Sequence, residues 1–395
     1  MKYIEVLFWV VSLAIVYSYV IYPFILIFVS ALVQCVRDTR YALIKKERRT
    51  EISEASSVTI VISAFNEESC IKERIENLLS LNYPIEKLNI FVASDGSTDN
   101  TNTILSSFSD PRLQTFCFEE NRGKINVLND LMERVTSDIT VFSDANTTFE
   151  KDAVTQLVMS INQKGVGAVC GELVLIDAHS GDNKDNLYWK YEQVLKFHES
   201  RLNALLGANG GIYAIKTDFY IPLPSNTIID DFCIVMNVAR QKQSVVYTPE
   251  AKAIEEIAPS MQEEANRRIR IGAGNYQALA RLTWLLSPKY KWRCFSFISH
   301  KVIRWFVPHF MIISLSTNFA LLWHSHSIYT YLFSAQAAFY CLWLLGSLKL
   351  LRNIPILSGI VSLITFFVSM NISLFRGYIR YLTSNLSATW QRTSR

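Results

Sequence analysis

Ile139-Thr140-Val141-Phe142-Ser143-Asp144-Ala145-Asn146 is the stretch on which the fold turns. Its first five residues are apolar or β-branched and read as a buried strand. A carboxylate, an alanine and an amide then stand where that strand emerges at the edge of a sheet. In open α/β sheets, ligands bind outside the carboxyl ends of the strands. A short Asp-x-Asn there offers two oxygen donors suited to Mg²⁺ or Mn²⁺ carrying a diphosphate. Asp and Asn are also ordinary turn residues, so the tripeptide takes its meaning from its surroundings.

Upstream, the same pattern of strand followed by polar loop occurs three times. Val58 to Ile62 is strand-like and ends at Ala64-Phe65-Asn66-Glu67-Glu68, followed by Ile71, Ile75, Leu78 and Leu79 at helical spacing up to Pro84. Leu88 to Ser94 is a second strand, ending at Asp95-Gly96-Ser97-Thr98-Asp99-Asn100. Leu113 to Phe118 is a third, and Asn121-Arg122-Gly123-Lys124 opens a helix carrying Ile125, Leu128, Leu131 and Val135. Strands alternating with helices predict a mainly parallel sheet with helices on both faces. Downstream, Val166 to Ile176 and Ser244 to Tyr247 read as strands, and Asn186 to Leu206 and Gln262 to Leu282 as helices.

The two ends are of another kind. Val6 to Val33 is almost uncharged and long enough for a tilted transmembrane helix. Arg37, Arg40, Lys45, Lys46, Arg48 and Arg49 follow it, which places the next region in the cytoplasm by the positive-inside rule. Lys289 to Arg304 mixes Trp and Phe with Lys and Arg, as suits a helix at the membrane interface. Apolar segments at about 305–323, 327–349 and 354–375 follow, each long enough to span a bilayer, with Pro308 tolerated as a kink. The basic loop Lys349 to Arg352 favours the cytoplasm and puts the turn 324–326 outside. That count leaves the basic tail (Arg376, Arg380, Arg392, Arg395) outside, against the rule.

Half of the 395 residues are hydrophobic and the mean hydropathy is positive, with the excess gathered at the ends. A net charge of +4 is too small to imply a nucleic-acid partner. Seven scattered cysteines without C-x-x-C or metal spacing read as reduced, buried thiols, not a disulfide frame.

Taken in order, Ala-Phe-Asn-Glu-Glu, Ser-Asp-Gly-Ser-Thr-Asp, Asn-Arg-Gly-Lys and Asp-Ala-Asn form a set that resembles the inverting family 2 glycosyltransferases. The resemblance covers about residues 55–285. With apolar segments on both sides, the layout is similar to the membrane-embedded branch that includes cellulose, hyaluronan and poly-N-acetylglucosamine synthases. It implies an α/β GT-A (Rossmann-like) nucleotide-sugar-binding domain flanked by transmembrane helices. It also implies roles for residues. Glu67 would contact the nucleoside, Asp95 the base or ribose of a UDP-sugar, and Lys124 the diphosphate. Asp144 and Asn146 stand at the metal-binding D-x-D, the second Asp replaced by Asn, with Mg²⁺ or Mn²⁺ as cofactor. Asp230-Asp231, after Thr227-Ile228-Ile229, resembles the T-E-D motif, making Asp231 the base and Asp230 its support. Arg267 and Arg270 fall where processive synthases carry Q-x-x-R-W; Arg270 matches the Arg, while Arg267 replaces Gln and Ile271 replaces Trp. Tyr188-Trp189-Lys190-Tyr191 and Gly207-Ala208-Asn209-Gly210 resemble the acceptor-side segment, so Trp189, Asn209 and Gly210 are acceptor candidates, Trp189 being equally suited to core packing.

The expected organisation is a membrane helix at 1–36, a basic linker at 37–57 and a catalytic domain at 58–285, its donor half 58–146 and acceptor half 147–285. An interfacial helix at 286–304, about three membrane helices at 305–375 and a basic tail at 376–395 complete it. The implied activity is sugar transfer from a nucleotide-sugar to a growing cell-envelope polysaccharide or lipid-linked glycan. It would take place at the cytoplasmic face of the inner membrane, with export or assembly subunits as further partners. Single-sugar transfer to a polyprenyl phosphate or lipid, and an inactive scaffold in envelope assembly, stand as the alternatives.

Overall fold

The computed structural model describes residues 1–44, 55–176, 187–256, 261–323, 327–348, 350 and 355–384. Lys45, Lys46, Arg48 and Arg49, the linker residues 51–54, the turn 324–326, most of the basic loop 349–352 and the tail residues Arg392 and Arg395 lie outside them. The described residues divide into two compact units, one within 26–263 and 281–296, the other within 1–25, 264–280 and 297–384.

The first unit is built on a sheet of eight strands: β1 (Val58–Ala64), β2 (Leu88–Asp95), β3 (Leu113–Phe118), β4 (Ile139–Asp144), β5 (Thr147–Phe149), β6 (Val166–Ile176), β7 (Tyr213–Lys216) and β8 (Ser244–Glu256). Their order is β3-β2-β1-β4-β7-β6-β8-β5. The first four are parallel, so β1, β2 and β4 deliver Ala64, Asp95 and Asp144 to one edge of the sheet. Every residue of β1 is buried, which is why it reads as an unbroken apolar run. Beyond β4 the sheet is mixed: β7 runs antiparallel to β4 and β6, and β6 pairs with β8 in parallel. Helices Ile71–Leu79 and Ala153–Ile161 pack their apolar stripes into one core with these strands.

Local departures from the expected elements have physical causes. β8 continues well past Tyr247 because Thr248 pairs with Gly171 and Lys252 with Glu172, so Pro249, Glu250 and Ala251 bulge out between consecutive partners. The bulge brings the Ala251 carbonyl to within 2.6 Å of where a Cβ on Gly171 would stand, and only glycine fits there. The helix expected to reach Leu206 is Leu187–Arg201; Asn203, at φ 54°, takes the left-handed conformation that ends it.

In the other unit, helices Ile303–Leu321, Ser327–Ser347 and Pro355–Thr383 follow one another, and the chain's first helical stretch, Lys2–Ile44, begins there. A π-helical turn, Tyr17–Ile21, interrupts that stretch. By length and apolarity, Lys2–Ile44, Ser327–Ser347 and Gly359–Thr383 are able to cross a membrane. Ile303–Leu321, with Arg304, Pro308, His309 and Asn318, falls short of that measure. The segment before it is short pieces, Pro288–Tyr290, Trp292–Ser296 and the π-helical Phe297–Val302. All seven cysteines are free, but Cys35, Cys117 and Cys341 are exposed, correcting the expectation of uniformly buried thiols. Cys35 and Cys341 sit on apolar helices where lipid, not protein, is the expected neighbour, and Cys117 lies on the sheet's edge strand β3.

Candidate active site

Two loops at the carboxyl edge of the sheet are laced together. Asn66, at φ 56°, donates its N–H to Ser97 Oγ at 2.9 Å, while its Oδ1 accepts from the Thr98 N–H at 2.7 Å. Glu67 donates its N–H to Thr101 Oγ1, and its carboxylate accepts from the Cys70 thiol. Asp95 is fully buried. Its Oδ1 accepts from the Arg122 N–H at 2.9 Å and its Oδ2 from the Gly123 N–H at 2.8 Å. Asp95 thus clamps the loop that begins the helix Lys124–Met132. Gly96 permits this closeness: a Cβ there would lie 2.5 Å from Asn121 N and Glu120 C.

The clamp aims Lys124. Its Nζ donates to Asp144 Oδ1 at 2.8 Å and stands 3.3 Å from Asp230 Oδ2. Burial alone would lower its pKa; Asp144, then Asp230, outweigh this and hold the ammonium above its ordinary value. One cation therefore joins the carboxylate at the end of β4 to Asp230. Asp230 and Asp231 form the first turn of helix Asp230–Arg240, where the helix dipole favours negative charge. Burial, then the like charge of Asp230, push the Asp231 carboxyl up to about 6, against the pull of Lys124 and a 2.7 Å hydrogen bond from the Phe232 N–H.

Gly210 lies between Asp144 and Asp231. A Cβ on it would stand 3.4 Å from Asp144 Oδ2 and 3.6 Å from Asp231 Oδ2, so its missing side chain leaves a gap between these carboxylates. The neighbouring Asn209 is nearly buried and held on three sides: its Nδ2 donates to the Gly171 carbonyl, its N–H to Cys170 Sγ, and its Oδ1 accepts from Lys196. Trp189 packs against the core and donates Nε1–H to the Leu173 carbonyl at 2.9 Å, the packing alternative weighed for it. Arg267 and Arg270 lie on helix Met261–Arg281, in its part that belongs to the other unit; Arg267 Nη1 is 3.7 Å from Glu264 Oε2.

Asn146 donates Nδ2–H to Glu255 Oε1 at 3.1 Å. Among the described residues no three His, Cys, Asp or Glu side chains converge as a metal site. The carboxylate of Asp144 and the amide oxygen of Asn146 nonetheless fit a hard divalent ion that takes its other ligands from phosphate and water.

Four participants escaped the sequence reading. Arg74 is buried behind β4, its Nη2 donating to Ser143 Oγ at 2.7 Å, and Ser143 Oγ donates onward to the Gly211 carbonyl at 2.7 Å. This relay ties the Gly210 turn to the strand bearing Asp144. Burial lowers the Arg74 pKa to about 9, opposed by the charge of Asp144. Arg281 Nη1 donates to Thr227 Oγ1 at 2.7 Å, steadying the approach to Asp230. Tyr213, stacked on Phe142 at 4.8 Å, keeps a buried hydroxyl that has no hydrogen-bond partner among the described residues, and burial, then Asp230, raise its pKa. Glu255 is the fourth. One of them left a trace: Arg74 occupies a position of the Ile71, Ile75, Leu78 stripe, where a charge needs a buried partner.

A mixed sheet of this order, with carboxylates at the ends of its parallel strands, has the Rossmann-like GT-A fold. Residues 59–214 match the family model for glycosyl transferase family 2. It is similar to the poly-β-1,6-N-acetyl-D-glucosamine synthase of Staphylococcus aureus, 23% identical over 258 residues, or 62% of this chain. The alignment spans 60% of that relative's length, less than two thirds. Among solved structures, the mannosyltransferase PcManGT from Pyrobaculum calidifontis, in complex with GDP-Man and Mn²⁺, shares the fold at a TM-score of 0.66 and 18% identity, over 91% of this chain and 98% of that one.

Proposed function

We propose that the protein is a membrane-bound, inverting glycosyltransferase that moves a sugar from a nucleotide-sugar to a cell-envelope polysaccharide or lipid-linked glycan. The observation that carries the reading is the ammonium of Lys124 between Asp144 and Asp230, with Gly210 open between Asp144 and Asp231. A donor diphosphate and an acceptor hydroxyl have to meet at one point, and this is the arrangement that lets them. Relatives by name and structure support the class: one makes a polymer of N-acetylglucosamine, and the other was solved with a nucleotide-sugar and a divalent ion. The resemblance of the motifs favours a UDP-linked donor.

In this reading Asp231 takes the proton of the acceptor hydroxyl as its oxygen attacks the anomeric carbon from the face opposite the leaving diphosphate. A carboxyl raised to about 6 is a stronger base than a free one and is still ionised at neutral pH. Asp230 holds Lys124 toward the site, and Lys124 offers its charge to the departing diphosphate. Asp95 keeps Lys124 in place through the 122–123 loop. Glu67 borders the nucleoside side. A divalent ion held by Asp144 and Asn146 would supply Lewis-acid neutralisation of the diphosphate. The catalytic unit faces the cytoplasm, with the apolar helices in the inner membrane.

The test is transfer and hydrolysis from a panel of UDP- and GDP-sugars by the full chain in nanodiscs, with and without Mn²⁺. Wild type should turn over one donor and need the metal, and Asp231→Asn and Asp144→Ala should each lower turnover by about 10²-fold or more. Turnover that survives both substitutions defeats the residue assignments.

A further inference from the structure

Asn146 stands where a second carboxylate would make the usual acidic pair, and a residue from another strand controls its side chain. Glu255, near the end of β8, lies across from Thr147 in antiparallel register and is 6% exposed. Its Oε1 accepts from Asn146 Nδ2 at 3.1 Å. An amide carries donors at one end and an acceptor at the other, whereas a carboxylate only accepts. Facing Glu255, the NH₂ end of Asn146 has to take the near side. Its Oδ1 is therefore fixed on the opposite edge of the amide.

We propose that Glu255 is a positioning residue, locking the amide of Asn146 so that its oxygen is the atom offered to a divalent ion beside Asp144. The proposal rests on the metal-dependent reading above. An unlocked Asn146 would present its NH₂ end for part of the time, and that end cannot coordinate a cation. A second Asp needs no such lock, since both its ends are oxygen. Replacing Asp by Asn thus gives up a charge and creates a need for orientation that Glu255 meets. Partners that orient metal ligands commonly change metal affinity by about 10–100-fold.

The experiment is Mn²⁺ titration of the full chain in nanodiscs, following free Mn²⁺ by electron paramagnetic resonance, with UDP in one arm and GDP in the other. In the natural background, Glu255→Ala should weaken Mn²⁺ binding by about 10–100-fold. The isosteric Glu255→Gln should weaken it less, because an amide partner permits both orientations of Asn146. In an Asn146→Asp background the sign should reverse. There Glu255 is a like charge beside the new carboxylate, so either substitution should leave binding unchanged or tighten it. A loss of similar size in both backgrounds would mean that Glu255 merely supports β8, and would overturn the proposal. So would unchanged binding in Glu255→Ala with Asn146 present. Absence of Mn²⁺ binding by the wild type with either nucleotide would instead defeat the metal-dependent reading itself, and this proposal with it.

Discussion

Asp231 combines burial, a like-charged neighbour and a cation, and the first two prevail. A base with a pKa of about 6 works when deprotonated, so kcat/KM should rise with pH through about 6 and level off above it. Asp231→Asn should lower turnover by about 10²–10⁴-fold and remove that limb of the pH profile; a profile unchanged in the variant would assign it to another group. Gly210 permits a separate prediction. A methyl there makes only ordinary contacts, 3.4 and 3.6 Å from the two carboxylates, so Gly210→Ala should fold with an unaltered melting temperature. The methyl nevertheless fills the gap between Asp144 and Asp231, and transfer should fall by about 10²-fold, the cost of displacing reacting groups by roughly an ångström. At this scale Asp144, Asp230 and Asp231 were legible because each stands at the end of a strand or the start of a helix. Glu255 was not, since its partner is more than a hundred positions away and only sheet pairing joins them.

Elements were legible in proportion to their length and burial. β1, β2 and β4 are long and almost entirely buried, so their apolar runs announce them. β5 and β7 have three and four residues, too few for a period to show, and are strands because neighbours pair with them. Helix contacts in the other unit were equally silent. Helices Met261–Arg281 and Pro355–Thr383 meet at two glycines. A Cβ on Gly377 would stand 2.8 Å from Gly272 Cα, whereas one on Gly272 would stand 3.4 Å from Gly377 Cα. Small residues at such crossings let helix backbones pack closely in a bilayer. The asymmetry makes a prediction: Gly377→Ala should destabilise by about 1–3 kcal/mol through overpacking, and Gly272→Ala by less. Denaturation of the two variants in detergent decides it, and equal losses would show that the contact yields from both sides.

The molecule as a whole joins a mixed eight-stranded sheet to helices able to cross a bilayer. By the positive-inside rule, the proposed orientation puts the sheet-bearing unit, which follows the first apolar stretch and its positive residues, on the cytoplasmic side. This orientation can be read from one thiol. Cys117 is exposed on β3, while Cys170, Cys233 and Cys294 are buried. Partial burial raises the Cys117 pKa, so a maleimide should react with it more slowly than with a free thiol and faster as the pH rises. With Cys35, Cys70 and Cys341 replaced by serine, a membrane-impermeant maleimide should label Cys117 in inverted inner-membrane vesicles and leave it untouched in intact spheroplasts. Detergent should then expose it equally in both preparations. Labelling in spheroplasts alone would put the sheet on the outer face, away from cytoplasmic donors. The reading would then have to give up the nucleotide-sugar before it gave up the fold, because the cleft between Asp144 and Asp231 would remain while its substrate could not reach it.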